Sequence, residues 1–498
     1  MIIKSLKILC GVGILGAGIF SIIQPDGDEK NQILKVGVPG QWTTLTPGKQ
    51  SDAYASFISG YQYESLLYRS PTGELLPHAA KFYSFNPSHT RFEFEINPEK
   101  RFSDGQRLRP GHFVSTWTRL LRQEKQSSLR NLRELMSRLV GYESFEKTGE
   151  IAGLTATDDR LILEFNRPFR TALEYLSIAK SAAFIEKDGA ILGTGRYVIE
   201  EREDQLVFTP NRYYADHQNQ PRIAVKVIPV GKAAKALLDG EIDIYTHAGQ
   251  EIPAVEDQNI KRLERFETSH VVLTTNNSRG IFRQKDMRRG LLFLIAEWHK
   301  RHGTRFNPQL YLNYQAGHLP DHKVERIIQG GARFTDELIR ASIKKPLTLL
   351  TSESTANLPR IFQDAGIRFI HVDKSGGFKK RLDHYMNADI DLILLQFSIH
   401  NTDPDGVYHF MGKWGAVRSE MIDNDQIMTL LEKGRSLHEP SSIGLLYTQV
   451  SETFLREAPF IHLGFGVRRT FYHPDRLTID TPRAVRHGLI WHLFTHNR

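Results

Sequence analysis

One stretch near the start of the chain constrains the local fold most strongly. Residues 92–122 read FEFEINPEKRFSDGQRLRPGHFVSTWTRLLR, and the first of them alternate apolar and polar types, which predicts a half-buried strand. Residues 103–105, Ser-Asp-Gly, predict a tight turn, because Asp bonds to nearby backbone and Gly permits positive φ. From Pro110 the apolar residues recur at helical spacing, and proline suits a first helical turn. The stretch therefore predicts a strand, a turn and an amphipathic helix in succession.

Length and composition describe a globular chain of more than one domain. A chain of 498 residues is too long for a single hydrophobic core, and its 40% hydrophobic and 24% charged residues are ordinary values. The net charge of +8 comes from scattered Lys and Arg without an aromatic ladder, so we expect no nucleic-acid partner. The sole cysteine is Cys10, close to the N-terminus. The body of the chain therefore has no disulfide, cysteine nucleophile or cysteine metal ligand.

The first 30 residues have the pattern of a secretion signal. Lys4 and Lys7 precede an apolar run from Ile8 to Ile23, and a polar segment follows. The run is shorter than the roughly 20 residues that a spanning helix needs, which favours a signal peptide. An uncleaved N-terminal anchor is the alternative. Both interpretations place the body in the periplasm, and the second attaches it to the inner membrane.

Local patterns predict two further features that bear on the outcome below. The alternation from Leu154 to Phe165 predicts a strand. The basic residues within 119–138, Arg138 among them, predict a solvated helix face, because surface helices normally carry such charges.

Several phrases resemble, in order along the chain, those of the family 5 extracytoplasmic solute-binding proteins. The strand-turn-helix stretch carries FSDG followed by HFVSTWTRLL, and the other phrases are GELLPHAA at 73–80, GTGRY at 193–197, GEID at 240–243 and FSIHNTDPD at 397–405. This family contains the receptors of oligopeptide, dipeptide and nickel ABC importers. The resemblance implies an α/β, two-lobed periplasmic-binding-protein (Venus-flytrap) fold, with an extra α+β domain inserted in the first lobe. Ligand would be enclosed between the lobes by hinge closure.

The order of these phrases also predicts where the domains begin and end. We expect the signal peptide or anchor at 1–30, the first lobe at 31–63, 190–270 and 472–498, the inserted domain at 64–189, and the second lobe at 271–471.

The segment before Asp403-Pro404-Asp405 is the most informative about the ligand. In peptide-binding members of the family, the position four residues before the proline carries an aspartate that pairs with the ligand's ammonium group, and here that position is His400. A neutral histidine cannot fully replace a carboxylate, and a protonated one would repel an ammonium group. A blocked, acidic or metal-chelated ligand would therefore suit His400 better. A histidine that only packs in the fold is the alternative interpretation.

The resemblance implies further ligand contacts from three segments that line the cleft in this family. The candidate ligand-binding residues are His400, Phe397, Ser398, Ile399, Ala53, Ser51, Val272 and Thr274. Val272 and Thr274 share one side of their predicted strand, which is why that face is chosen.

These observations predict the substrate-binding component of an ABC importer that captures oligopeptides. The expected partners are a peptide ligand and an inner-membrane ABC permease, and we expect a monomer without cofactor or metal. A receptor for nickel, haem or murein peptides is one alternative, and a degenerate membrane-anchored paralogue without a transport role is another. A secreted hydrolase is the alternative from a different class. The sequence has no Gly-x-Ser-x-Gly or His-Glu-x-x-His motif to support it, so we expect no enzyme activity.

Overall fold

The computed structural model shows a mixed α/β structure with several sheets. It describes residues 33–50, 52–70, 74–123, 129–248, 252, 260–310, 317–351, 357–373, 384–385, 389–398, 403–407, 425–479 and 494–496. The predicted signal peptide or anchor lies outside the described residues.

The strands are β1 (Ile33–Val38), β2 (Leu67–Arg69), β3 (Leu75–Pro77), β4 (Ala80–Phe85), β5 (Arg91–Ile96), β6 (Leu154–Ala156), β7 (Arg160–Glu164), β8 (Ile185–Lys187), β9 (Ala190–Leu192), β10 (Tyr197–Arg202), β11 (Gln205–Pro210), β12 (Arg222–Val227), β13 (Ile244–Ala248), β14 (Lys261–Thr275), β15 (Leu347–Thr351), β16 (Phe369–Asp373), β17 (Leu392–Ser398), β18 (Phe460–Tyr472), β19 (Leu477–Ile479) and β20 (Phe494–His496). The helices are α1 (Ala53–Ser59), α2 (Pro110–Gln123), α3 (Arg130–Met136), α4 (Phe145–Thr148), α5 (Ala172–Tyr175), α6 (Val230–Leu238), α7 (Lys285–Arg301), α8 (Asp321–Gln329), α9 (Thr335–Lys344), α10 (Leu358–Asp364), α11 (Asp425–Arg435) and α12 (Pro440–Glu457).

One large sheet runs through the described part of the chain. Its strand order is β10-β11-β12-β1-β13-β18-β14-β17-β15-β16. At one end β1 lies parallel to β12 and β13, and at the other end β15 lies parallel to β16 and β17. In the middle, β14 and β18 pair antiparallel from Lys261↔Tyr472 to Thr274↔Phe460. These two strands therefore join two halves of one sheet.

Buried apolar side chains form separate cores in different regions of the chain. One core lies around β1 and β10–β13, and we call this region the first lobe. A second core is drawn from residues between Tyr63 and Phe184, which we call the insertion. A third is drawn from residues between Val272 and Ile461, which we call the second lobe. The boundaries predicted from the sequence stay a prediction, but each region has a core of its own.

The strand-turn-helix prediction for residues 92–122 is confirmed. Phe92 and Phe94 on β5 are fully buried, and Gly105 adopts a φ of +95° in the turn. Helix α2 begins at Pro110. Its Trp117 is fully buried, and the indole N–H donates to the carbonyl oxygen of Ser181 over 2.9 Å. The helix covers one face of the four-stranded sheet β4-β5-β7-β6 through contacts with β6 and β7.

The prediction of one continuous strand over 154–165 is wrong. The segment forms a hairpin, in which β6 and β7 pair antiparallel from Leu154↔Leu163 to Ala156↔Leu161. Thr157 closes the turn, since its hydroxyl accepts from the backbone N–H of Arg160 over 3.1 Å. Residues 157–160, Thr-Asp-Asp-Arg, are all polar and interrupt the alternation, and the prediction of a single strand overlooked this turn signal.

Replacement of Phe92 by alanine should destabilise the insertion strongly. Phe92 is fully buried and its ring meets Phe165 edge to face, so the variant leaves a cavity that costs about 3–5 kcal/mol. Phe82 on the neighbouring strand β4 is 60% exposed and gives the matched control. Its alanine variant should change the free energy of unfolding by less than about 0.5 kcal/mol. Denaturant unfolding monitored by tryptophan fluorescence measures both, and equal losses would contradict the assigned core.

Candidate functional site

The strands that join the two lobes are interrupted where they pass from one lobe to the other. Their register shifts between Phe266↔Val467 and His270↔Phe465. It shifts again between Val271↔Gly464 and Val272↔His462. Such β-bulges bend a strand and break its ladder locally. Among the described residues, β13 pairs with β18 from Arg468 onward, and β17 pairs with β14 from Ser269 onward. The flanking strands therefore end on opposite sides of the bulge, which makes this stretch a structural hinge.

Two buried histidines and a phenylalanine pack at the hinge. Nδ1 of His270 lies 3.2 Å from Nε2 of His462, and both rings lie 5.0 Å or less from the ring of Phe465. Nδ1 of His462 lies 3.3 Å from the carbonyl oxygen of Asn307, which can only accept. His462 therefore carries its proton on Nδ1 and accepts at Nε2 the hydrogen bond that His270 donates. This hydrogen bond requires Nε2 of His462 to be unprotonated.

Burial keeps both histidines unprotonated. It lowers the pKa of His270 to about 3, with a further contribution from the neighbouring His462. Burial likewise lowers the pKa of His462 to about 4, although backbone hydrogen bonds with Asn307, Gly464 and Gln309 oppose the shift. If both histidines were protonated, their two positive charges would repel each other across the hydrogen-bonded contact.

The candidate ligand-binding residues of β17 lie beside this pair. In the strand register, Phe397 is opposite His270 and Ser398 is opposite Ser269, so the end of β17 reaches the hinge. Ile399 and His400 follow directly in the sequence but lie outside the described residues. In the first lobe, Ala53 is the first residue of α1, and Ser51 lies outside the described residues.

Val272 and Thr274 lie further along β14, in the second lobe. Both side chains are fully buried, and Val272 belongs to the core of that lobe. Among the described residues the hydroxyl of Thr274 has no hydrogen-bond partner. Their assignment as ligand contacts stays a prediction, as does that of the other candidate residues.

The Asp-Pro-Asp turn that follows the candidate segment is anchored by arginines. Oδ1 of Asp403 accepts from the backbone N–H of Asp405 over 2.9 Å, so Asp403 turns the loop. The same carboxylate also forms a two-point ion pair with Arg170 of the insertion. Asp405 is fully buried, accepts from Nε of Arg435 over 2.9 Å and accepts from the hydroxyl of Thr171 over 3.1 Å.

Arg435 is the centre of this polar cluster. Its guanidinium is 1% exposed and donates to Asp405, to Glu134 over 2.5 Å and to the hydroxyl of Tyr175 over 2.7 Å. Burial raises the pKa of Asp405, and Arg435 opposes that rise without cancelling it. A buried charge of this kind is tolerated only where several hydrogen bonds compensate it, and here two carboxylates and a hydroxyl do so.

Sequence reasoning missed Arg435, Arg170 and both hinge histidines, because their partners are hundreds of positions away in the chain. The signal for Arg435 was weak, since a basic residue in the last turn of a helix is ordinary. The prediction of a solvated helix face is wrong for Arg138. That side chain donates to Glu134 and, over 2.7 Å, to Glu432 of the second lobe.

The described residues contain neither a metal-binding cluster nor a membrane-spanning helix. Within the described ranges, no group of three or more His, Cys, Asp or Glu side chains is arranged to hold a metal ion. In the same ranges, no helix combines the length and the apolar character needed to cross a membrane.

Comparison with solved structures shows the fold of the chain. The murein tripeptide binding protein MppA of Escherichia coli matches with a TM-score of 0.76 and 16% identity, covering 94% of this chain and 99% of MppA. OppA of Haemophilus influenzae, solved in complex with RPPGFSPFR, matches with a TM-score of 0.75 and 12% identity, covering 94% of this chain and 99% of OppA. The chain therefore has the two-lobed periplasmic-binding-protein fold.

The sequence is also similar to one protein family over less than half of its length. Residues 74–295 match the bacterial extracellular solute-binding proteins, family 5 Middle. The peptidoglycan-binding protein YepA of Agrobacterium fabrum (strain C58 / ATCC 33970) is 25% identical over 325 residues, covering 57% of this chain. That match spans 51%, about half, of the length of YepA. The resemblance to the family 5 solute-binding proteins that the ordered phrases predicted is confirmed.

The hinge histidines should make stability depend on pH between about 7 and 5. The unfolded chain protonates each histidine below its ordinary pKa of about 6.5, whereas the folded chain does not until about pH 4, so stability falls as the pH falls. At pH 5 each buried histidine should cost about 2 kcal/mol relative to pH 7.

Denaturant unfolding at pH 7 and pH 5 tests this expectation. The unfolding free energy should fall by about 2 kcal/mol less between pH 7 and pH 5 in His270→Gln than in the unchanged chain. The exposed His322 supplies the control, and His322→Gln should leave the loss unchanged. An unaltered pH dependence in His270→Gln would show that the hinge pair titrates normally.

Proposed function

We propose that this protein captures a peptide outside the cytoplasm and delivers it unchanged to an inner-membrane ABC permease. The observation that carries the proposal is the pair β14 and β18, which joins two lobes with separate cores through a bulged hinge. A hinge of this kind allows two lobes to close over a ligand. The match of residues 74–295 to an extracellular solute-binding family supports the location and the binding role. The protein acts as a monomer in this proposal.

We infer that the ligand is a peptide without a free ammonium terminus, and that murein peptides are the first candidates. His400 stands where peptide-binding relatives carry an aspartate, so the chain lacks the carboxylate that would pair with an ammonium group. The stem peptide of murein is joined to a lactyl group through its amine and carries several carboxylates. The names of YepA and MppA refer to peptidoglycan and to a murein tripeptide, which supports the same class.

Free-amine oligopeptides are the second candidate. OppA of Haemophilus influenzae was solved with such a peptide, and its fold covers almost the whole of this chain. Chelated nickel, haem and a paralogue that has lost transport are outcomes that the same experiment would reveal.

Native mass spectrometry of the protein purified without denaturation tests the ligand class. The account predicts co-purified mass that fragments into amino-sugar or diaminopimelate-containing peptides. Unmodified oligopeptides would replace the murein assignment by the second candidate. Turnover of added muropeptides by the purified protein would contradict a receptor that releases its ligand unchanged.

His400→Asp should raise affinity for free-amine peptides. A new carboxylate opposite an ammonium group supplies a charge-assisted hydrogen bond worth about 1.5 kcal/mol or more, which corresponds to about a tenfold lower Kd. Titration calorimetry with a tetrapeptide carrying a free N-terminus measures the gain, and the same tetrapeptide with an acetylated N-terminus should show none. Asn401→Asp adds the same charge one residue away as a control. Equal affinities in His400→Asp and the unchanged chain would remove His400 from the ligand site.

A further inference from the structure

The insertion contacts both lobes, and the two contacts differ in chemistry. Towards the first lobe the contact includes apolar packing, in which Leu120 and Leu129 close over Gly48, where an added Cβ would lie 2.8 Å from Leu129. Gly48 adopts a φ of +80° that favours glycine, so the backbone approaches closely there. The chain also enters and leaves the insertion through the first lobe, because β1 precedes it and β10 follows it. The insertion is therefore fixed to the first lobe.

Towards the second lobe the contact is made by charged groups. Arg435 of α11 reaches Glu134 and Tyr175, and Arg170 reaches Asp403, so each side contributes both cations and anions. The backbone N–H of Arg170 also donates to the carbonyl oxygen of Arg435 over 3.1 Å.

Further contacts of the same kind surround this centre. Arg138 pairs with Glu432, and the ring of His89 stacks on that of His438 with centroids 4.5 Å apart. The insertion thus bridges the two lobes, and its contact with the second lobe contains several ion pairs.

The chemistry of the second contact suits a surface that separates and re-forms. When the lobes rotate about β14 and β18, the insertion moves with the first lobe and must leave the second. Apolar surfaces parted in this way would be exposed to water at a high cost, whereas carboxylates and guanidinium groups are well hydrated once apart. The ionic contact therefore stabilises closure while permitting release.

We propose that Arg435, Glu134, Arg170 and the Asp403–Asp405 turn form a polar latch that fastens the insertion to the second lobe in the closed state and parts when the lobes open. Arg435 and Arg170 are positioning residues in this scheme. The proposal rests on the lobe movement of the proposed receptor, but not on the class of ligand.

Single-molecule fluorescence on the full chain tests the latch without ligand. Cys10→Ser removes the sole cysteine, and Phe82→Cys with Leu445→Cys places one dye on the insertion and one on the second lobe, at positions 60% and 72% exposed. Arg435→Met leaves Asp405 buried without its hydrogen-bonded cation and leaves Glu134 with Arg138 as its cation, and should raise the ratio of open to closed molecules roughly tenfold or more. Arg456→Met is the control, since Arg456 only forms a surface pair with Glu452 and is 57% exposed.

A second variant covers the case in which Arg435→Met does not fold. Arg170→Gln keeps the buried centre intact and removes the ion pair with Asp403, so it should shift the distribution in the same direction by a smaller factor. Unchanged distributions in every folded latch variant would overturn the proposal. Muropeptide added to the unchanged chain distinguishes the latch proposal from the proposed ligand class. If muropeptide does not increase the closed fraction while the latch variants still open the molecule, the latch proposal is supported and the proposed ligand class is contradicted.

Discussion

The antiparallel pairing of β14 with β18 is the constraint on which the rest of the structure depends. These strands are the longest of the main sheet, and each contributes one half to the first lobe and the other half to the second. Their ladder is continuous within each lobe and bulged between them. Both lobes are therefore held in one sheet, and the ladder of that sheet is interrupted between them.

The distribution of apolar surface agrees with this arrangement. The first lobe, the insertion and the second lobe each bury their own core, so relative motion does not expose a shared hydrophobic interior. Between the insertion and the second lobe the contact includes the ion pairs of Arg435 with Glu134 and of Arg170 with Asp403.

Local pattern was sufficient for those elements whose sequence carries its own signals. Helix α2 begins where the sequence predicted, because apolar periodicity and Pro110 mark it directly. The hairpin of β6 and β7 was missed because the polar stretch 157–160 was not recognised as a turn. The polar cluster and the hinge pair could not be predicted, since Arg435 meets Glu134 and His270 meets His462 only after the chain has folded. Of the candidate ligand residues, Phe397 and Ser398 reach the hinge in the strand register, while Val272 and Thr274 are buried further along β14.

The proposed function requires the two lobes to close over a small ligand about the β14–β18 hinge. Small-angle X-ray scattering of the purified protein, before and after saturation with a muropeptide digest, tests it most directly. Closure of the lobes predicts a smaller radius of gyration in the saturated sample, together with a loss of scattering from extended interatomic distances. Identical scattering curves, with bound muropeptide demonstrated by mass in the same sample, would contradict closure.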